Sequence, residues 1–119
     1  MSSIQKSLET LLATDGALCA AVVDSSSGMM LGSAGTGVDL EVAAAGNTEV
    51  MRAKMKTMKS LGLNDVIEDI LITLGKQYHL LRPLAKKEGV FVYYVLDKSK
   101  SNLALARRTL LDVCKDLAF

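Results

Sequence analysis

The residues of this sequence that could do chemistry begin with a glycine-rich segment, 32–37 (GSAGTG), between a predicted strand and a predicted helix. A phosphate-binding loop at such a place needs Lys and then Ser or Thr directly after its last glycine, to hold phosphates and a metal ion. Val38 and Asp39 follow instead, and the glycine spacing does not match a dinucleotide-binding fingerprint. We therefore interpret the segment as a sharp strand-to-helix turn that uses the conformational freedom of glycine.

The other reactive side chains are few and far apart. His79 is the only histidine, so a histidine metal site or a Ser-His-Asp triad lacks its main component. Cys19 and Cys114 lie in apolar surroundings without a neighbouring base, which favours buried free thiols over a nucleophile or a disulfide. Glu68 and Asp69 are neighbours in a predicted strand and would point to opposite faces. The sequence therefore predicts no catalytic residue, no metal site, no cofactor and no enzymatic activity.

Hydrophobic periodicity predicts three helices and five strands that would position any functional surface. Short turns connect the elements, and no linker divides the chain, so residues 1–119 are expected to form one domain. The order α-β-β-α-β-β-β-α predicts an α+β fold, a three-layer α/β/α sandwich around a five-stranded, mostly antiparallel sheet. The predicted helices cover 3–14 (capped by Ser2 or Ser3), 38–61 (Thr36 or Asp39) and a last segment after Ser99 or Ser101; the predicted strands cover 17–24, 29–34, 65–74, 77–84 and 90–96.

Composition excludes several classes of partner. The 119 residues are 50% hydrophobic and 23% charged, as expected of a globular protein. A formal net charge of +1 and an aromatic content of 4% argue against nucleic-acid binding. No apolar run reaches the roughly 20 residues that span a bilayer, and the polar N-terminus does not resemble a signal peptide. We expect a cytoplasmic protein without membrane insertion.

The long helix 38–61 has a wider apolar surface than one sheet can cover. Two apolar stripes lie side by side, and together they span roughly 200°, whereas a helix that covers one core needs only a stripe of about 100°. Gly46 costs about 1 kcal/mol relative to Ala in a helix interior, which indicates close approach by another backbone. The first stripe is Leu40, Ala44, Asn47, Met51, Met55 and Met58; the second is Ala43, Gly46, Val50, Ala53, Thr57 and Leu61.

These features favour self-association over a helix that is simply buried deep on its own sheet. The strand 65–74 follows the helix and is a candidate sheet edge, and an apolar edge invites pairing with another chain. A two-fold dimer that joins edge strands and packs the long helices together would use both surfaces. The predicted dimer interface consists of Ala43, Gly46, Asn47, Val50, Met51, Ala53, Lys54, Thr57, Ile67, Asp69 and Leu71, with Lys54 at the border between the sheet-facing and partner-facing sides.

Several segments together resemble the Roadblock/dynein light chain family, particularly its bacterial single-domain members. They are VAAAGNTEV in the long helix, IEDILITLG followed by QYHLLRPL, and VFVYYVLDKSKSNLALARRTL. The resemblance covers nearly the whole chain and implies a roadblock/profilin-like fold, a homodimer formed through the long helix and the edge strand, and a partner that is a Ras-like small GTPase. It implies a regulator or scaffold without an arginine finger, and a GTPase-facing surface on the paired long helices that here includes Glu49, Arg52, Lys56 and Lys59.

A second hypothesis is a small-molecule sensor domain. It predicts an internal apolar pocket with a few converging polar groups, around His79, Tyr78 and Tyr94.

Overall fold

The computed structural model describes residues 2–118 and has the predicted order of elements. Its five strands form one sheet in the order β2-β1-β5-β4-β3, and every neighbouring pair is antiparallel. The predicted α+β sandwich is confirmed. The elements are α1 (Ile4–Leu12), β1 (Ala17–Asp24), β2 (Met29–Gly35), α2 (Leu40–Ser60), β3 (Ile70–Thr73), β4 (Gln77–Pro83), β5 (Val90–Asp97) and α3 (Leu103–Asp116).

The sheet separates two hydrophobic cores. On one face α1 and α3 pack against the sheet through side chains such as Leu8 and Leu110. On the other face α2 lies over β1 and β2, and Met51 packs into a core with Phe91 and Tyr93. Strand β5 is buried from Val90 to Leu96, as expected of a central strand that is covered on both faces.

The helix starts follow side-chain capping, with one correction. Ser3 accepts a hydrogen bond from the backbone N–H of Lys6, and Asp39 caps α2 in the same way, as predicted among the alternatives. At α3 the prediction of Ser99 or Ser101 is wrong, because Asn102 is the cap. The hydroxyl groups of both serines instead donate to Asp97 at 2.7 Å and close the turn that precedes the helix.

Strand β3 is shorter than predicted. The sequence pattern placed it at 65–74, whereas regular pairing with β4 begins at Ile70. Asp69 is held by Arg107 of α3, whose Nε lies 3.0 Å from its carboxylate, so this end of the strand is fixed by a side chain. Ile67 packs on the α2 side of the sheet, while Leu71 packs on the α1/α3 side. Strand alternation over the predicted range 65–74 would place the predicted interface residues Ile67, Asp69 and Leu71 on one face, and this expectation is wrong.

The glycine-rich segment 32–37 is only partly the predicted turn, because residues 32–35 belong to β2 and the connection to α2 begins at Thr36. Gly35 and Gly37 have φ of +85° and +120°, a region that side chains other than glycine rarely adopt. A Cβ on Gly35 would also lie 2.7 Å from the Cα of Cys19, so the backbones of β2 and β1 approach too closely for any side chain.

Among residues 2–118, no helix is long and apolar enough to cross a bilayer.

Candidate interaction surface

Helix α2 buries only a narrow face against its own sheet. Ala44, Thr48 and Met51 are the buried residues of this helix, and their spacing of four and three places them in one row. The Thr48 hydroxyl donates to the backbone oxygen of Ala44 at 2.7 Å, so the polar atom in this row is satisfied locally. The fully buried part of this helix of 21 residues is therefore one row of side chains, and Leu40 and Ala43 pack partly against the same core.

The second predicted stripe faces solvent. We call it the outer stripe; apart from the half-buried Ala43 its members are exposed, with Val50 at 39% and Leu61 at 65% of their full accessibility. Isolated exposed apolar side chains are ordinary, but a continuous row along a helix indicates an interaction surface. The outer stripe consists of Ala43, Gly46, Val50, Ala53, Thr57 and Leu61.

Gly46 lies in this stripe without an intrachain reason to be glycine. Apart from its chain neighbours and the backbone of its own helix turns, a Cβ at this position would meet no described atom within 4 Å, and its φ is not positive. Neither close packing nor backbone conformation within one chain therefore requires glycine here. The helix carries a cost of about 1 kcal/mol relative to alanine.

The edge of β3 presents unpaired backbone groups beside α2. The N–H of Leu74 donates to the oxygen of Gln77 at 2.9 Å, which fixes the hydrogen-bonding phase of the β3–β4 hairpin. With the observed register, Ile70 and Ile72 form the bonded pairs with β4, so the backbone groups of Leu71 and Thr73 point outward from the sheet. Lys54 and Met58, which lie on α2 between the outer stripe and the buried row, line one shallow depression with residues 65–70, the segment that leads into β3.

The structure changes the expected role of several predicted interface residues. Met51 is only 2% exposed and belongs to the intrachain core, so it is removed from the interface. Asn47 is half-buried and lies near the hydroxyl of Tyr93. Asp69 forms an ion pair with Arg107, and Leu71 offers its backbone, not its side chain, at the edge. The outer-stripe residues and Lys54 remain exposed or half-buried on one side of the helix.

Three exposed apolar residues extend the candidate surface beyond the prediction. Val42 precedes the outer stripe and is 68% exposed, and Leu63 and Val66 lie in the connection from α2 to β3 at 53% and 78%. The sequence pattern placed Val66 in a strand, where it would have been partly covered. The sequence did contain one signal for this: Asn64-Asp65, between Leu63 and Val66, is a turn-forming pair, and turn-forming residues indicate an exposed, irregular connection.

The charged side of α2 lies away from the outer stripe. Glu49, Arg52, Lys56 and Lys59 are all exposed there, as predicted. Arg52 differs from the lysines because its guanidinium donates to the backbone oxygens of Ser25 and Ser26, the latter at 3.0 Å. It also pairs with Glu49 at 3.4 Å, so it is held against the β1–β2 turn.

The pocket predicted for a sensor does not form around His79, Tyr78 and Tyr94. Tyr94 is fully buried on the α1/α3 side and donates to the backbone oxygen of Leu11 at 2.7 Å. Tyr78 packs on that same side, whereas His79 bonds to the hydroxyl of Tyr93 at 2.8 Å on the α2 side. The sheet separates His79 from the two tyrosines, so this prediction is wrong.

An open groove of about 680 Å³ lies at the C-terminal half of α2. It contains none of the three predicted pocket residues, and charged side chains of both signs form its rim. The groove is lined mainly by apolar residues, including Met51, Met55, Met58, Leu63 and Phe91.

The reactive side chains are in environments that keep them inert. Both cysteines are buried and free, as predicted, and burial raises the pKa of the Cys114 thiol to about 11. Burial also raises the pKa of Cys19. Both groups are therefore protonated thiols at neutral pH. Across residues 2–118, no group of three or more His, Cys, Asp or Glu is arranged to hold a metal ion.

Comparisons with known proteins identify the fold. No protein-family model matches the sequence, and no curated protein matches it. A Roadblock/LC7 domain from Streptomyces avermitilis superposes with a TM-score of 0.83 at 11% identity, over 97% of this chain and 94% of that one. Myxococcus xanthus MglB gives 0.79 at 18% identity, over 93% and 90%. An MglB with a tetrameric arrangement gives 0.71 at 16% identity, over 95% and 88%. The chain therefore has the Roadblock/LC7 fold.

Proposed function

We propose that this chain is a non-enzymatic, cytoplasmic homodimer that regulates or scaffolds a Ras-like small GTPase. The observation that carries the proposal is that the chain presents both an exposed outer stripe on α2 and an outward-facing edge on β3. Each surface alone is incomplete, because the helix lacks a cover and the strand lacks a neighbour. One symmetry-related copy supplies both.

In the proposed dimer, the two β3 strands pair antiparallel through the outward groups of Leu71 and Thr73. The two α2 helices then lie side by side on one face of a ten-stranded sheet, and the outer stripes cover each other. Gly46 permits close approach of the two helices at that contact, which supplies the reason for glycine that one chain does not provide. Oligomerisation is also in keeping with the tetrameric MglB.

The surface proposed for the GTPase is the charged side of the paired α2 helices. Glu49, Arg52, Lys56 and Lys59 are exposed in each chain, and a dimer presents them twice. The resemblance to the roadblock family, not the charges, is the reason for proposing a small GTPase. Arg52 is already bound to the β1–β2 turn, and Arg107 to Asp69, which supports action without an arginine finger.

Two measurements test the proposal. Sedimentation velocity of the purified chain is expected to give a dimer at micromolar concentrations. Immobilised protein is then incubated with each Ras-like GTPase of the same genome, loaded with GDP or with a non-hydrolysable GTP analogue. We expect one GTPase to bind in a nucleotide-dependent way, and the double substitution Lys56→Glu, Lys59→Glu to weaken it at least about tenfold through charge repulsion.

Lys6→Glu provides the matched control, because Lys6 is exposed on α1 at the opposite face of the sheet. A monomer at these concentrations would contradict the dimer. Absence of binding to every GTPase, or equal loss of binding in the Lys6→Glu control, would contradict the assigned partner or the assigned surface.

A further inference from the structure

The sheet has a second open edge, strand β2, which the proposed dimer leaves uncovered. The N–H of Thr36 donates to the oxygen of Leu18 at 3.0 Å, which fixes the hydrogen-bonding phase between β2 and β1. With the observed register, Ala34 and Gly32 are the residues bonded to β1. The N–H and C=O groups of Ser33 and Gly35 therefore point away from β1, toward solvent.

This edge lacks most of the features that protect edge strands. The segment Met29–Gly35 (MMLGSAG) contains no charged residue and no proline. Met29 and Leu31 are 69% and 47% exposed, so apolar side chains border the unpaired backbone. The one protective feature is a bulge at Leu31, where the register with β1 shifts; residues 32–35 then pair with β1 in one continuous register.

Helix α1 forms an apolar wall along the same edge. A Cβ on Gly32 would lie 2.6 Å from Cγ2 of Ile4, and a Cβ on Gly35 would lie 2.8 Å from Cδ1 of Leu12. Ile4 and Leu12 are only partly buried, and they are spaced two helical turns apart along β2. A strand added beside β2 would place alternate side chains on this wall.

The bulge decides between two occupants of the edge. In pairing of β2 with a second copy, two rigid sheets would meet, each with an edge that twists at Leu31. Bulged edges resist pairing between sheets, whereas a flexible peptide can follow a short regular segment. The absence of charge from Met29 to Gly35 favours an uncharged sequence.

We propose that the β2 edge binds an extended peptide segment of a partner protein as a sixth strand. The segment is uncharged, pairs with the backbone of Ser33 and Gly35, and places apolar residues at alternate positions against Ile4 and Leu12. This mode of recognition, in which main-chain bonds supply affinity and alternate side chains supply specificity, is known as β-augmentation. The proposal does not depend on the dimer, because β2 and β3 are at opposite ends of the sheet.

The test uses a fluorescein-labelled octapeptide of alternating valine and threonine, and a control peptide with proline at every second position. Fluorescence anisotropy with the full chain is expected to show binding of the first peptide only. Ser33→Pro removes the outward N–H and is expected to weaken binding at least about tenfold, because a backbone bond is lost and the proline ring obstructs the edge. Thr73→Pro alters the β3 edge and is expected to weaken the proposed dimer while peptide binding persists.

Amide hydrogen exchange on the wild-type chain tests the site without a substitution. Peptide addition is expected to slow exchange of the Ser33 amide at least about tenfold and to leave that of Ala34, which faces β1, unchanged. No binding, equal binding of the proline peptide, or protection at Thr73 in place of Ser33 would each overturn the proposal. Concentration-dependent assembly of dimers that Ser33→Pro abolishes would also overturn it, since the occupant would then be a second copy.

Discussion

Substitution of Gly46 is expected to move the stability of the fold and the stability of the dimer in opposite directions. Gly46 is exposed within α2, and an added Cβ meets no described atom within 4 Å outside its chain neighbours and the backbone of its own helix. Gly46→Ala should therefore stabilise the isolated chain by about 1 kcal/mol through helix propensity. For a chain of this size that corresponds to a rise in Tm of about 4 °C.

Gly46→Leu should have the opposite effect on association. A leucine side chain at a close helix–helix contact overpacks the interface, at a cost of about 1–3 kcal/mol for each copy. Two-fold symmetry places the substitution in the interface twice, so the total is about 2–6 kcal/mol. The dimer should then dissociate at least about 30-fold more readily.

The two effects need separate assays, because dimerisation itself stabilises the folded chain. Sedimentation velocity over a concentration series gives the dissociation constant of the wild type and of Gly46→Leu. Urea unfolding of Gly46→Ala is measured in a Val50→Glu background, where a charge on the outer stripe keeps the chain monomeric. Lys59→Leu is the control, since it adds a leucine to the other side of the same helix and should leave the dimer unchanged.

Two results would refute this reasoning. If Gly46→Leu retains the wild-type dissociation constant, the outer stripe is not the contact. If Gly46→Ala destabilises the monomer, the glycine has an intrachain role that the open surroundings of its Cα do not reveal.

Two further predictions concern the fold that supports these surfaces. Asp69→Asn removes the ion pair with Arg107 and should lower the free energy of unfolding by about 1 kcal/mol, and by less at high salt. The same change at the exposed Asp112 is the control and should alter the free energy of unfolding by only about a few tenths of a kcal/mol. Urea unfolding of both variants checks this prediction. Burial lowers the pKa of His79, so in mild acid the unfolded chain binds more protons than the folded chain. The free energy of unfolding should therefore be highest above about pH 6.5 and should fall as the pH drops through the lowered pKa. The loss is at most about 1.4 kcal/mol per pH unit. Urea unfolding of wild type and of His79→Gln at pH 7.5 and 5.5 is the measurement, and an equal loss in both would contradict the assignment to His79.

Local pattern was sufficient to predict most of the elements. Strand β1 has the predicted bounds, because a short apolar run ends at the turn sequence Asp24-Ser25-Ser26. Strand β5 reads as apolar on both alternations and is buried on both faces. The outer stripe of α2 also followed from sequence, since helical periodicity fixes which residues share a side of a helix, whatever the tertiary structure around it.

Contacts distant in sequence decided the rest. Asp69, directly before β3, is bound by Arg107, which lies 38 residues later, and no local signal near Asp69 reveals that ion pair. The sheet likewise separates Tyr94 from His79. Alternation within each strand shows which of its residues share a face, but it does not show which face of one strand lies on the same side of the sheet as a given face of another. Met51 carries the same apolar signal as Val50, and only the position of α2 on β1 and β2 buries one and exposes the other.

The sequence by itself determined that α2 has two apolar stripes and that strands precede and follow it. The tertiary structure decided which stripe the chain covers, because burial depends on where the helix crosses the sheet and not on the hydrophobicity of a residue. It also decided which backbone groups at β2 and β3 face outward, since the hydrogen-bonding phase of a strand is set by its neighbour. The candidate surfaces are the parts of the pattern that the fold leaves uncovered.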